Sequence, residues 1–370
     1  RLANTLTLLA ALQRSQGNFE EAEAAYLQLI AVLEQGQGPE SPSVANALDT
    51  LAAFYQEEYQ IRQEVEEEQP QEHVEGEAEG EHSHEAAPAH GHDEHLEAAA
   101  KLLQRSLAIR EKAFGQDDAS VDASVNRLAV VYDALGHRDQ AEALLRRSLE
   151  TRERVFGRDS AEVAAALYNL GVLAHKQNKL DEAEQLLKRS WQIRERHFGL
   201  NDLELERSLG ALASVYMQQR KFEDAERLLK LSLSIRENML GKDHPSLVPV
   251  LGSLSSLYAL RDRPAEAQQL LERSLGLEEK SFGPQSAYLV ATLNNLALAH
   301  MAQKHYADAS RIWERALKIQ EAESGIFHGS LLPILEGLYE AYRQTGNQEA
   351  AIQTGRRIEA VAEASGRHEH

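Results

Sequence analysis

Cysteine is absent from this 370-residue chain, which excludes disulfides, thiolate metal sites and cysteine nucleophiles. Aromatic residues make up only 6% of the sequence and no apolar run approaches 18 residues, so neither a large aromatic core nor a membrane span is expected. Positive charge is also scarce, with 39 Lys and Arg against 59 Asp and Glu. The net charge of −20 disfavours binding to nucleic-acid phosphates or anionic membranes. The composition predicts a soluble helical protein rich in Ala and Leu.

The sequence motifs of common enzymes are missing as well. The chain contains no GxGxxG, GxxxxGK[ST], HExxH or GxSxG motif. Carboxylates are abundant, but they recur on helix faces that need solvation. The chain is therefore not expected to be an enzyme.

A period of 42 residues runs through the chain. Two series show it: Gly115, Gly157, Gly199, Gly241, Gly283 and Gly325, and Ala99, Ala141, Ala183, Ala225, Ala267, Ala309 and Ala351. Each period contains two stretches with helical apolar spacing, so each repeat predicts a pair of helices. We expect the glycine to end the second helix in the left-handed α conformation, and the alanine to lie where the two helices cross closely.

Helix starts are expected shortly after each glycine. Asp118, Asp159, Asp202 and Asp243 can each cap the next helix, and Pro245 suits a first turn, where its missing N–H costs nothing.

The pattern resembles the tetratricopeptide repeat (TPR), in the 42-residue form of kinesin light chains. The likeness rests on LNNLA-type first helices (residues 293–297), on FEDA and YADA segments, and on IRE-x-x-x-G endings. It implies an all-α fold: one right-handed TPR α-solenoid over residues 1–370, with about eight helix–turn–helix repeats and sixteen helices. The repeats are expected at about 1–38, 39–115, 116–157, 158–199, 200–241, 242–283, 284–325 and 326–366.

Repeat 2 is longer than the others by an insertion at about 60–94. This segment carries twelve acidic residues and one Arg, a charge of −11, and lacks apolar periodicity beyond its first residues. We expect a disordered loop between the two helices of the repeat, into which the first helix can extend.

The insertion also carries the sharpest chemical signal. His82, His84, His90, His92 and His95 lie within fourteen residues, beside several carboxylates. Imidazole and carboxylate groups are ligands for Zn, Ni or Cu, so these five residues are candidate metal ligands. The alternatives are a solvated acidic tract in which His is incidental, a pH sensor, or a site for basic partners.

The resemblance to the tetratricopeptide repeat implies that the first helix of each repeat lines a concave face that holds peptides. It also implies that the residue before a framework Leu contacts the partner. That position carries Thr50, Arg127, Asn169, Ala211, Ser253, Asn295 and Gly337, and Asn126, Asn294 and Arg207 lie close by in sequence. An Asn amide offers both a donor and an acceptor to a peptide backbone. We predict partner contacts at Arg127, Asn126, Asn169, Arg207, Ser253, Asn294 and Asn295. The alternative is that the Asn side chains bond only neighbouring helices.

Two histidines need a separate explanation. His175 and His300 are predicted to occupy a packing position that is Tyr in other repeats, as at Tyr132 and Tyr258.

These features predict a non-enzymatic scaffold that binds another protein or peptide through the concave face, as a subunit of a larger assembly and with no cofactor required. One alternative is a metal-handling module that carries Zn, Ni or Cu on the His-rich loop, and another is self-association through the groove. Nucleic-acid binding and membrane insertion are not expected. The location is open, although the lack of Cys, the missing initiator Met and the His-rich loop favour an exported, periplasmic bacterial protein over a cytoplasmic one.

Overall fold

The computed structural model describes residues 2–68, 90–199 and 203–368, and in them it contains sixteen α-helices and no β-strand. The helices are α1 (Leu2–Ser15), α2 (Phe19–Gln37), α3 (Pro42–Glu68), α4 (His90–Phe114), α5 (Ala119–Ala134), α6 (Arg138–Phe156), α7 (Ala161–Lys176), α8 (Leu180–Phe198), α9 (Leu203–Gln218), α10 (Phe222–Leu240), α11 (Val248–Leu260), α12 (Pro264–Phe282), α13 (Val290–Ala302), α14 (Tyr306–Ser324), α15 (Leu332–Thr345) and α16 (Gln348–His368). The prediction of an all-α fold with sixteen helices is confirmed. None of the described helices has the length and apolar character that a bilayer span requires.

The chain divides into two compact parts between Ile193 and Arg194, within α8. In the first part, the helices from α1 to α7 each pack against the next along the chain. In the second part, the same holds from α9 to α16. Odd-numbered helices are the first helices of the repeats and even-numbered helices are the second.

The recurring alanines are buried, as expected for residues at the crossing points of the helix pairs. Ala22, Ala99, Ala141, Ala183, Ala225, Ala267, Ala309 and Ala351 are all buried. A methyl side chain at the crossing allows the two backbones to approach closely, and a larger group would separate them. The alanine series therefore sets the spacing within each repeat.

The recurring glycines end the second helices, but not in the predicted left-handed α conformation. Four of them, and Gly38 at the end of repeat 1, have φ of 83 to 91° with ψ of 153 to 168°: Gly38, Gly157, Gly241, Gly283 and Gly325. This extended region at positive φ is almost restricted to glycine, because a Cβ would clash with the backbone. The expected conformation was wrong because the chain must leave the helix extended to reach the next repeat.

The residues that cap the first helices stand at a fixed position in the repeat, and the predicted aspartates do not always occupy that position. Asp118 caps α5 by accepting a hydrogen bond from Ser120 N–H, as predicted. Asp159 and Asp243 are not caps. The capping side chains are Ser160 and His244, one residue later, and Pro245 begins the 3₁₀ turn that leads into α11. The cap is the third residue after the glycine, and these two aspartates stand one residue before that position. Asp202 lies outside the described residues.

The aromatic position of the first helices is confirmed for one of the two histidines. Tyr132 and Tyr258 are buried, and His300 takes the equivalent, partly buried place in repeat 7. His175 does not. Counting by 42 places Ala174 there, and Ala174 is the buried residue.

A series of arginines on the second helices links each repeat to the one before it. The ion pairs are Arg105–Glu34, Arg147–Glu111, Arg189–Glu153, Arg273–Glu237, Arg315–Glu279 and Arg357–Glu321. The main-chain carbonyl of each of these glutamates also accepts the N–H of the helix-ending glycine. Leu231 takes the arginine's place in repeat 5. In the six repeats that carry the arginine, the series ties the end of the preceding second helix to the next helix pair.

The ends of the insertion are helical. α3 continues to Glu68 and α4 begins at His90, so helix covers parts of the 60–94 segment predicted to be disordered. Residues 69–89 lie outside the described part of the chain.

Candidate functional site

The predicted contact residues of the first part belong to a polar network along the first helices. Arg127 is half-exposed, and its Nη2 lies 2.7 Å from Oδ2 of Asp49. Asp49 is buried and pairs at the same distance with the buried Arg110. Arg110 also donates to Asn46 and Ser124. Arg127 is therefore the outward end of an ion network that has a buried centre.

Asn126 and Asn169 lie in the same row and bond to each other. Asn169 Nδ2 is 3.4 Å from Asn126 Oδ1, and Asn126 donates to Ser148 Oγ at 3.0 Å. Ser148 in turn donates to Asp122, which pairs with Arg152. These two Asn side chains thus bond to each other and, through Ser148, to a neighbouring helix, which is the arrangement that the alternative interpretation describes.

In the second part, two of the four predicted residues are held by other groups. Asn294 accepts the indole N–H of the buried Trp313 at 2.8 Å. Ser253 Oγ donates to the carbonyl of Pro249 in its own helix. Arg207 is exposed.

Asn295 differs from these residues. Its side chain is exposed and, among the described residues, makes no hydrogen bond. It lines a cavity of about 150 Å³ between α11, α12 and α13. The other lining residues are Ser255, Ser256, Ala259, Asp262, Pro264, Ala267, Leu271, Leu298, Ala299 and Ala302. A free amide thus lies at the rim of an opening whose walls are mainly aliphatic.

No repeated sequence pattern indicates this cavity. Leu298 stands on the same side of α13 as Asn295, three residues later, and half of its surface is exposed. The one indication in the sequence is an apolar residue three positions after a polar contact position, because residues with this spacing are neighbours on a helix surface. The open volume could not be predicted, because it depends on small residues from three helices.

One carboxyl in this part is buried without a cation. Glu278 is 5% exposed and accepts a hydrogen bond from Thr292 at 3.0 Å, and its Oε2 has no partner among the described residues. Burial raises the pKa of Glu278. Arg110, Arg152, Arg194 and Arg236 occupy its position in four earlier repeats.

Of the five candidate metal ligands in the insertion, only His95 has a described side chain. His95 lies in α4, packs on the Tyr55 ring with centroids 5.6 Å apart, and has Nδ1 3.6 Å from Glu58. His82 and His84 lie outside the described residues, as do the side chains of His90 and His92. His95 therefore helps to pack the two helices of repeat 2.

Comparison with known proteins identifies the repeats. One tetratricopeptide repeat family model matches residues 1–63, 123–196, 204–280 and 288–364, and a second matches residues 89–120. No curated protein sequence matches the chain.

Solved structures show the same fold at low identity. BtubC (BKLC) from P. vanneervenii is 22% identical with a TM-score of 0.57, and the match covers 62% of this chain and 92% of that chain. The TPR-like repeats of a kinesin light chain-type protein of Podosopora anserina are 22% identical with a TM-score of 0.50, covering 54% and 95%. A TPR protein from Cytophaga hutchinsonii is 16% identical with a TM-score of 0.51, covering 73% and 91%. Because the family models cover most of its length, the chain belongs to the tetratricopeptide repeat family.

Proposed function

We propose that this protein is a non-enzymatic scaffold that binds a segment of another protein along its first helices, as a subunit of a larger assembly. TPR repeats generally mediate protein–protein interactions, which supports the class of function. The observation that carries the proposal is the cavity beside Asn295.

The cavity has the properties of a subsite for one aliphatic side chain. Its volume of about 150 Å³ is comparable to that of an apolar cavity that holds a benzene-sized group. Leu271 and Leu298 supply apolar wall, and Ala259, Ala267 and Ala302 leave the space open. Burying a Leu or Met side chain of a partner there would contribute roughly 1.5–3 kcal/mol.

The free amide of Asn295 supplies the polar part of the same subsite. A bound peptide must satisfy its own N–H and C=O groups, because an unpaired polar group that loses its water costs about 1–3 kcal/mol. Asn295 can donate to a peptide carbonyl and accept from a peptide N–H at the cavity rim. The ligand class is therefore an extended or helical segment with one aliphatic anchor.

Selection from a random peptide display library tests this assignment. Peptides selected on the full chain are synthesised with a fluorophore, and their affinities are measured by fluorescence anisotropy. We expect selected peptides to share an aliphatic residue. Leu298→Asp should weaken binding at least tenfold and Asn295→Ala about three- to tenfold, because the first removes apolar burial and the second a hydrogen bond.

Arg227→Ala provides the control, since Arg227 is exposed on the second helix α10 and its ion pair with Asp224 lies within that helix. It should bind every selected peptide like the unchanged chain. The subsite would be refuted if the Leu298→Asp and Asn295→Ala variants bound the selected peptides as tightly as the unchanged chain does.

A second proposal concerns the His- and Glu-rich segment, which would bind Zn, Ni or Cu as part of a metal-handling function. The spacing of His82 and His84, and of His90 and His92, supports it. Because His95 packs in repeat 2, the proposal now rests on the other four histidines.

Zinc titration of a synthetic peptide spanning residues 74–94, which contains these four histidines alone, tests the second proposal. The four-His peptide should bind Zn²⁺ more tightly than a version in which all four are alanine, because imidazole is the stronger ligand beside carboxylates common to both. Superimposable titration curves for the two peptides would end it.

A further inference from the structure

The turn of repeat 7 brings together three side chains that are common metal ligands. His300 is in the last turn of α13, His305 immediately precedes α14, and Asp308 is in the first turn of α14. One potential ligand atom from each residue lies within 4.8 Å of those of the other two. We propose that His300, His305 and Asp308 bind a divalent transition-metal ion, with Zn²⁺ as the best match to two imidazoles and one carboxylate.

The backbone holds these three residues in a tight turn. His305 N–H donates to the carbonyl of His300 at 2.9 Å, and Asp308 N–H donates to that of His305 at 3.1 Å. Lys304, between the histidines, has φ of 62°. The spacing of the ligands along the chain is therefore fixed before a metal binds, which reduces the ordering cost of binding.

Neither imidazole makes a hydrogen bond within the described part of the chain. His300 Nδ1 is buried and has no hydrogen-bond partner among the described residues. The His305 side chain makes no capping hydrogen bond to α14, although it occupies the capping position. The two rings face each other at a centroid distance of 5.9 Å and an angle of 52°. A buried polar atom without a partner is costly, and a metal ion in this turn can offset that cost.

Metal binding needs only a small adjustment. Ligand bonds of about 2.0–2.1 Å in a tetrahedral site place ligand atoms roughly 3.4 Å apart. The exposed side chain of His305 and the partly exposed side chain of Asp308 can close the present separation by side-chain rotation. Asp308 also pairs with the exposed Arg311, and its second carboxylate oxygen is available to the ion.

The other repeats show that this combination is specific to repeat 7. At the three positions, repeat 3 has Tyr132, His137 and Gln140, and repeat 6 has Tyr258, Arg263 and Glu266. In those repeats, the residue before the second helix packs on the Tyr ring, as Arg263 does over Tyr258 at 4.4 Å. Repeat 7 keeps this geometry and replaces the Tyr by His. Three protein ligands would leave a coordination position for water or for a side chain of a partner.

Equilibrium dialysis against Zn²⁺, with the metal counted by mass spectrometry, tests the site. The full chain is used with His73, His82, His84, His90 and His92 changed to Ala (the background chain), so that the histidines of the acidic segment do not contribute. We expect one Zn²⁺ per chain. His300→Tyr, which restores the residue of other repeats, should weaken binding at least tenfold, and His305→Ala and Asp308→Asn should do the same.

His137→Ala is the matched control, because His137 occupies the position of His305 in a repeat that has Tyr132 in place of His300. It should keep full Zn²⁺ binding. Bound Co²⁺ should also give the visible absorption of a tetrahedral site in the background chain and in the His137→Ala variant. If His300→Tyr fails to fold, the exposed His305→Ala change decides the question. Absence of bound Zn²⁺ in the background chain, or unchanged binding in His305→Ala, would overturn the assignment.

Discussion

At the scale of single residues, the glycines of this chain serve different purposes. Gly337, on the first helix α15, has a negative φ, but a Cβ built on it would lie 2.4 Å from Trp313 Cζ2. Gly276, inside the second helix α12, has no atom within 4 Å of such a Cβ. The first glycine makes room for a buried indole, and the second has no such role.

Alanine at these two positions should therefore have opposite effects. Gly337→Ala should lower the free energy of unfolding by about 1–3 kcal/mol, because the new Cβ would force the buried Trp313 ring to shift. Gly276→Ala should raise it by about 0.5–1 kcal/mol, because alanine loses less entropy in a helix. Urea unfolding followed by circular dichroism measures both, and a stabilised Gly337→Ala variant would contradict the packing argument.

The glycines that end the helices also differ among themselves. Gly283 has φ 87° and ψ 159°, whereas Gly346 has φ 76° and ψ 10°, in the left-handed α region. Asn tolerates the second conformation but not the first. We predict that Gly283→Asn costs about 1–3 kcal/mol and that Gly346→Asn costs clearly less. Thermal and urea unfolding of the two variants compare them directly, and equal losses would argue against distinct backbone requirements.

At the scale of elements, one position of the second helices changes its chemistry along the chain. In α6 this position is Arg152, which pairs with Asp122 of the same repeat. In α10 it is Arg236, which pairs with Glu206 of its own repeat. In α12 the position is Glu278, and Val248 stands where the paired carboxylate would be. The packing between α12 and α13 thus contains a carboxyl group that pairs with no cation of the described residues.

This carboxyl should make stability depend on pH. Because burial raises the pKa of Glu278, the folded chain binds its proton more tightly than the unfolded chain does, and stability falls as pH rises from the unfolded pKa through the folded one. Glu278→Gln mimics the protonated form. We expect it to be about neutral at pH 4 and to stabilise the protein at pH 7.

Urea unfolding of both proteins at the two pH values measures this difference. Glu323→Gln, at an exposed position, is the control and should show no such change. A Glu278→Gln variant that is less stable than the unchanged protein at pH 7 would show that the charged carboxylate is satisfied in the folded state.

At the scale of the whole molecule, contacts are made between neighbours along the chain. Each helix packs chiefly on the preceding and following ones within its compact part. Stability in such a chain is approximately a sum over repeats and their interfaces. A long insertion between two helices is therefore tolerated when it leaves those interfaces unchanged.

The insertion in repeat 2 can accordingly be removed. Deleting residues 60–94 places His95 five positions after Tyr55, which is the spacing of Tyr132 and His137 in repeat 3. Tyr59 then stands where Gly136 has φ of 74°, so the design includes Tyr59→Gly. Shortening the connection should stabilise the chain by up to about 2 kcal/mol, since each halving of loop length is worth about 0.6 kcal/mol.

Urea unfolding of the shortened chain tests this expectation. A cooperative transition at equal or higher urea concentration is the predicted result. A broadened transition, or loss of helix, would mean that the helical ends of the insertion are needed to pair α3 with α4.

The sequence predicted the repeated features well, and missed those that depend on local register or on space. The crossing alanines were predicted because each one is repeated at the same spacing. Ser160 and His244 were missed as caps because an aspartate stands one residue earlier, and only the register separates the two choices. The free amide of Asn295 was predicted as a contact, but the same reasoning selected Asn294, which Trp313 occupies.

By itself, the sequence determined the family, the all-α fold and the pairing of helices, because a 42-residue period repeats every local signal and so outweighs errors in any one repeat. Only the tertiary structure decided which polar groups remain available. Asn126 and Asn169 bond to each other, Asn295 is left beside an aliphatic cavity, and His300 meets His305 and Asp308. These outcomes depend on side chains from different helices and on distances of a few ångströms, which a one-dimensional pattern does not contain.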